Sequence, residues 1–337
     1  MTLVRETTKR EFAPSAELTS QEASKQSGLK TLGSITRIML KNPSAFRKLR
    51  FMGSDETRYV RPPRQYEIPP FHKGMKYCNS HEPYLRPTRW CNPREPEVVA
   101  MASELGAYAL SDHEFAEAAY WFVKTKMSFE ICPFDSAGAT LKRGTGSCYH
   151  LINVFIALCR SAGIKARYKN YKMRLRGIEQ SVFVDVDPMM TELYELGGGV
   201  IAEGEGEACI DGKWTVAYVA QNAAASAAAG WPITKFGEDS IGMYFDALPG
   251  SLKRFESLPL QLGLGLRLMG LLTPATMERM NASVHVALAI GQQEIEEAGG
   301  VQEYDLKARK KRERFSVDEI LNQQMLKHSD KIIFKKE

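Results

Sequence analysis

The stretch Arg143–Arg167, RGTGSCYHLINVFIALCRSAGIKAR, decides the fold. Gly144 and Gly146 allow a turn with positive φ, and Ser147 is a natural helix cap. Leu151, Ile152, Val154, Phe155, Ile156, Leu158 and Cys159 then make it apolar on nearly all sides, so the spacing predicts a helix buried in a core. Gly163 ends it in the position where a helix favours glycine, and Ile164 to Tyr168 begins a strand. Cys148 therefore stands at the helix N-terminus, where the dipole favours a thiolate.

These residues carry a resemblance. Gly146-Ser147-Cys148, Leu151, Phe155, Ala157-Leu158-Cys159-Arg160, Ala162-Gly163-Ile164 and Ala166-Arg167 resemble the cysteine motif of the transglutaminase-like superfamily. Glu207-Ala-Cys-Ile-Asp211-Gly212-Lys213-Trp214 is similar to that family's strand, turn and strand, and Tyr84-Leu85, Pro87-Thr88 and Pro96 to Leu105 are similar to its lead-in. The likeness covers Tyr84 to Asp246. It implies an α+β fold with a papain-like core, in which a central helix packs on an antiparallel sheet, here with helical N- and C-terminal extensions. It also implies a Cys-His-Asp triad, but Glu203 and Tyr218 occupy the positions of the family's histidine and aspartate.

Glu203, Glu205 and Glu207 alternate with small residues, and a strand's period of two sets all three on one face. If the resemblance holds, that face looks toward Cys148. Three like charges in a buried site raise one another's pKa and that of a nearby thiol, so protons, Arg143, Lys142, a cationic substrate group or a metal ion must offset them. The alternative is an exposed hairpin edge with no part in a site.

The chain has 337 residues, 44% hydrophobic and 25% charged, enough for a sizeable core. Its net charge of +5 is concentrated at Lys30 to Arg64 and Lys307 to Arg314. These basic ends suit a solvated helix face, anionic lipid or an acidic carrier protein, and no sequence-specific nucleic-acid motif accompanies them. The six cysteines form no paired framework, no signal peptide precedes them and no apolar run is long enough to span a bilayer. The expectation is a cytoplasmic protein without a transmembrane anchor.

Residues 1–75 read as a mobile arm, then a basic amphipathic stretch from Leu32 to Met52, then an extended Pro-rich segment; 76–250 form the core and 251–337 a helical extension. Pro96 to Ala107 and His113 to Met127 are expected helices, the second capped by Asp112, and Phe129 to Leu141 is the loop leading to the cysteine. Ser181 to Asp187 reads as a second strand. The apolar helices of Ser257 to Ile290, split at Pro274, are expected to cover the core or join a second subunit as a homo-oligomer, and Gln292 to Lys327 is helical and charged. Cys78, His81 and Cys91 are read as loop residues short of a zinc ligand set, Asp239 as a turn former, and His113 and His285 as ordinary histidines, although His285 would restore a base in space.

The resemblance implies an atypical transglutaminase-like enzyme. Cys148 would attack an amide or thioester, and an amine or water would resolve the acyl-enzyme, making it an acyltransferase or amidohydrolase acting on a small-molecule or carrier-bound acyl substrate, in a biosynthetic role by analogy. Glu203 would be the base, Glu205, Glu207 and His150 would assist, and Arg143, Tyr149, Trp214 and Tyr218 would line the substrate site. No cofactor is expected. Two alternatives stay open: a divalent metal ion held by Glu203, Glu205 and Glu207, and a catalytically inactive binding module on the same core.

Overall fold

The computed structural model of the chain describes residues 59–328 and 331, except 187, 197, 242 and 244–246. The arm and the amphipathic stretch from Leu32 to Met52 lie outside the described residues. In chain order the elements are α1 (Pro96–Glu104), α2 (Asp112–Lys126), β1 (Ser128–Phe129), α3 (Ala137–Arg143), β2 (Thr145–Gly146), α4 (Cys148–Ser161), β3 (Ala166–Met173), α5 (Gly177–Gln180), a π-helical turn (Ser181–Asp185), α6 (Pro188–Leu196), β4 (Ile201–Ile210), β5 (Lys213–Ala217), α7 (Ala223–Ala228), β6 (Lys253–Phe255), α8 (Leu260–Leu272), α9 (Pro274–Ala298), α10 (Val301–Arg314) and α11 (Val317–Lys327). The sheet has the order β5-β4-β3-β6, antiparallel throughout. A central helix on an antiparallel sheet, with helices beyond it, is the expected α+β architecture.

Every residue of α4 from Tyr149 to Ser161 is buried, as an all-round apolar helix requires. It ends at Gly163, whose φ of +87° is the left-handed conformation that glycine adopts without strain. The helix lies on the glycine side of β4. A Cβ on Gly206 would fall 2.6 Å from Phe155, and one on Gly204 would fall 3.4 Å from Ile152, so the two glycines bring α4 close to the strand. The helix thus runs along β4 with Ile152 over Gly204 and Phe155 over Gly206. One turn earlier, Cys148 comes level with Glu203.

The core continues past the sheet: Trp231, Val284, Ala287, Ile290 and Leu321 bury against the same apolar cluster as α4. The helices after Pro274 therefore cover the core, and α8 and α9 divide at that proline as expected. Ser111, rather than Asp112, caps α2, and its hydroxyl and Glu114 bond each other's backbone N–H. The expected loop from Phe129 to Leu141 winds into α3 at Ala137.

One expectation is overturned. Ser181 to Asp185 is helical, not a strand. β3, the strand that precedes it, already has β4 and β6 on its two edges, so the segment cannot return to pair with it, and its hydrogen bonds close locally while Val182 and Val184 are buried.

Candidate active site

Cys148 is the first residue of α4, and its sulfur is partly covered. The Glu203 carboxyl and the backbone N–H groups of Cys148 and Tyr149 are the polar groups that act on the thiol. Those N–H groups stabilise a thiolate, as the helix start predicts, yet they are outweighed. Burial first, and the Glu203 charge second, hold the thiol well above its ordinary pKa. The helix dipole and the carboxylate thus act on the thiol in opposite directions.

Glu203 is itself buried and accepts the N–H of Gly204 at 2.8 Å. Burial pushes its carboxyl up to about 8, with Glu179 and Glu205 adding to the shift and the Gly204 N–H and the thiol opposing it. Among the described residues no cation pairs with it.

The other two acids of the alternating run face different partners. Glu205 accepts from Ser240 N–H at 3.0 Å and its hydroxyl at 2.5 Å, and lies 2.6 Å from the Lys169 ammonium. Glu207 pairs with Arg167 at 2.6 Å and Arg254 at 3.2 Å. The register explains this, because Lys169 stands across from Glu205 and Arg167 across from Glu207, while Glu203 stands across from Tyr171. α4 takes the glycine side of β4, so the face that the three acids share does not look toward the helix as expected; of the three, Glu203 alone is coupled to the thiol, and the cations of β3 and β6 take the other two.

The proposed counter-charges are elsewhere. Arg143 binds Asp135 at 2.5 Å and the Thr145 carbonyl at 3.0 Å, and Lys142 binds Glu97. His150 Nδ1 accepts from Ser147 N–H at 3.2 Å and lies 2.9 Å from its hydroxyl. Since Nδ1 accepts, Nε2 carries the proton of the neutral ring, and it faces Asp135 and the Pro133 carbonyl, each at 3.4 Å. The ring is buried, burial lowers its pKa, and its bonds tie the start of α4 to the preceding loop. Cys132 lies 3.8 Å from the same nitrogen, with burial pushing its thiol up to about 12.

Tyr149 is buried, and its hydroxyl accepts from Asn170 at 3.0 Å. Tyr218 is buried at the end of β5, where its carbonyl accepts from Lys124 Nζ at 3.0 Å. Trp214 carries the Arg167 guanidinium 3.8 Å from its ring centre and meets Tyr84 edge-on. Asp239 bonds Lys169 at 2.6 Å, His285 meets Tyr59 edge-on and His113 meets Phe236. Cys91 is buried with its sulfur 3.9 Å from the Asn153 carbonyl. Among the described residues no three His, Cys, Asp or Glu side chains are gathered as a metal site.

Two buried polar residues escape a reading of the sequence. Glu179, from α5, is buried, and Gln221, beyond β5, donates to it. Neither belongs to a motif, and only the chain's path back over the sheet brings them together.

Residues 99–191 match the family model of the transglutaminase-like superfamily. The matched span runs from α1 into α6 and holds Cys148; β4 and β5 lie beyond it. No curated protein matches the chain, and no solved structure matches it. No helix among the described residues is long and apolar enough to cross a membrane.

Proposed function

We propose that the protein is a cysteine-dependent acyl-transfer enzyme in which Glu203 does the work of the superfamily's histidine. The coupling of the Cys148 thiol, at the head of α4, to the buried Glu203 carboxyl carries this reading. In the first half-reaction the Glu203 carboxylate takes the thiol proton as sulfur bonds to the acyl carbon. The carbonyl oxygen gains the negative charge, beside the N–H groups at the start of α4. Collapse of that oxyanion expels the amine or thiol leaving group, which takes its proton from Glu203. An amine or water then attacks the thioester, gives a proton to Glu203, and the proton returns to sulfur as the C–S bond breaks.

A carboxyl at about 8 is better matched to this task than an ordinary one, because its conjugate base is strong enough to take a proton from a thiol held high by the same burial. The separation of Glu205 and Glu207 onto cationic partners leaves Glu203 as the acid of the alternating run that is coupled to the thiol.

Incubation with a panel of thioesters and amides, read by intact mass, tests the reading. A covalent acyl adduct that is lost in Cys148→Ala, and forms about 100-fold more slowly in Glu203→Gln, is expected from the usual size of general base catalysis. Unchanged turnover of an acyl donor by Cys148→Ala would reject the reading. A chain that binds acyl donors without forming an adduct would instead be a binding module.

A further inference from the structure

Cys148 is held by what precedes it. β2 has two residues and pairs with a β1 of two, a ladder too short to fix itself, yet it sets where α4 begins. Glu130, next after β1, donates its N–H to the Gly146 carbonyl at 3.0 Å, and its buried carboxylate accepts from the Thr145 hydroxyl. Arg61 grips the same carboxylate, with Nε 3.0 and 2.9 Å from its two oxygens and Nη2 2.9 Å from one of them. We propose that Arg61, acting through Glu130 and Thr145, is a positioning residue for Cys148, so that the segment from Tyr59 to Tyr66 is a strap that aligns the nucleophile. This rests on the reading of Cys148 as the group that is acylated.

The ion pair supplies the first argument. Only 2% of the Glu130 side chain is exposed, and a carboxylate buried that far is costly unless a cation and further hydrogen bonds compensate it. Its cation comes from 69 residues away and its hydroxyl partner from β2. The carboxylate therefore ties the strap to the strand that leads into Cys148.

The strap is built onto the same corner of the fold. Arg64 donates from Nη1 to the Lys142 carbonyl at 3.1 Å, and the Tyr66 hydroxyl donates to the Leu141 carbonyl at 2.8 Å. These carbonyls belong to the last turn of α3 and have no partner inside their own helix. Gly144, at a φ of +78°, faces Arg64: a Cβ there would fall 2.7 Å from that side chain and 3.1 Å from its Cα. The inner side has no slack either. A Cβ on Gly146 would fall 2.4 Å from His150 in the first turn of α4, and Arg143 holds the Thr145 carbonyl at 3.0 Å. β2 is thus gripped between the strap and α4, and a shift of β2 passes to the N–H groups and the sulfur at the helix start instead of being absorbed.

Single-turnover acetylation of Cys148 by S-acetyl-N-acetylcysteamine, read by intact mass against donor concentration, tests this. Arg61→Ala is expected to lower the maximal rate about ten-fold and leave the half-saturating concentration in place, since an ångström of misplacement at a reacting atom costs up to about a hundred-fold. Dilute guanidinium chloride restores the rate by refilling the place beside Glu130, and sodium chloride at the same concentration does not. Thr145→Val breaks the link to β2 and leaves the ion pair intact. It gives a similar loss that guanidinium does not restore, and it carries the test if Arg61→Ala does not fold. A folded Arg61→Ala or Thr145→Val protein that acetylates at the natural rate overturns the inference and leaves the acyl-transfer reading standing. So does a loss seen as a higher half-saturating concentration, or one in Arg61→Ala that guanidinium leaves unchanged. No acetylation of Cys148 in the natural protein overturns both.

Discussion

Lys169 and Glu205 form an ion pair at 2.6 Å with side chains only 2% and 0% exposed, two residues along the strand from a glutamate that has no such partner. One strand thus holds a neutralised acid and an unneutralised one. Removing the cation leaves a buried charge without compensation, so Lys169→Met is expected to destabilise the fold by about 3 kcal/mol. Urea unfolding checks this, and a loss below about 1 kcal/mol would show that the two Ser240 hydrogen bonds are enough for Glu205 without the cation.

The unneutralised acid should govern the thiol. Burial and the Glu203 charge both hold the Cys148 proton in place. Glu203→Gln removes the second effect, so alkylation by iodoacetamide near pH 8 is expected to speed up several-fold although acyl transfer is lost. One unit of thiol pKa would correspond to about ten-fold. Slower alkylation would mean that the carboxylate activates the thiol at rest.

Stability should follow the same group. The folded Glu203 carboxyl sits at about 8, above its unfolded value, so its favourable contribution is complete below the unfolded pKa and is lost as pH rises through about 8. Glu179, pushed up by burial to about 7, acts in the same direction. Glu203→Gln is therefore expected to unfold at a higher temperature than the natural protein at pH 8.5, with the difference shrinking toward pH 5. Parallel melting curves across that range would contradict the assignment.

His150 makes a different kind of contribution. Its ring bonds Ser147 on one nitrogen and faces Asp135 on the other. His150→Ala is expected to cost about 1–2 kcal/mol through the lost helix-start bonds, while the pH midpoint of Cys148 alkylation stays in place. A shifted midpoint would put the imidazole in the thiol's ionisation.

Packing gives a test independent of the chemistry. A Cβ on Gly291 would fall 1.8 Å from the Ala224 carbonyl, which is backbone and cannot step aside. Gly291→Ala should therefore force α9 off α7 and cost about 2–3 kcal/mol, seen as a lower urea midpoint.

How much was legible follows from these residues. Ser147, the mostly apolar run from Leu151 and Gly163 specify α4 locally, because capping, burial and a left-handed terminus are decided within one helix. The alternation of Glu203, Glu205 and Glu207 likewise set them on one side of a strand. The sequence alone determined the helix, its cysteine and the strand face, all of them short-range consequences of backbone period and side-chain type. Only the tertiary structure decided which acid meets the sulfur, since that depends on α4 seating on Gly204 and Gly206 and on the cross-strand register that gives Lys169 and Arg167 to the other two. It also decided that Gln221 meets Glu179, because their approach is made by chain path and burial, which no local pattern encodes.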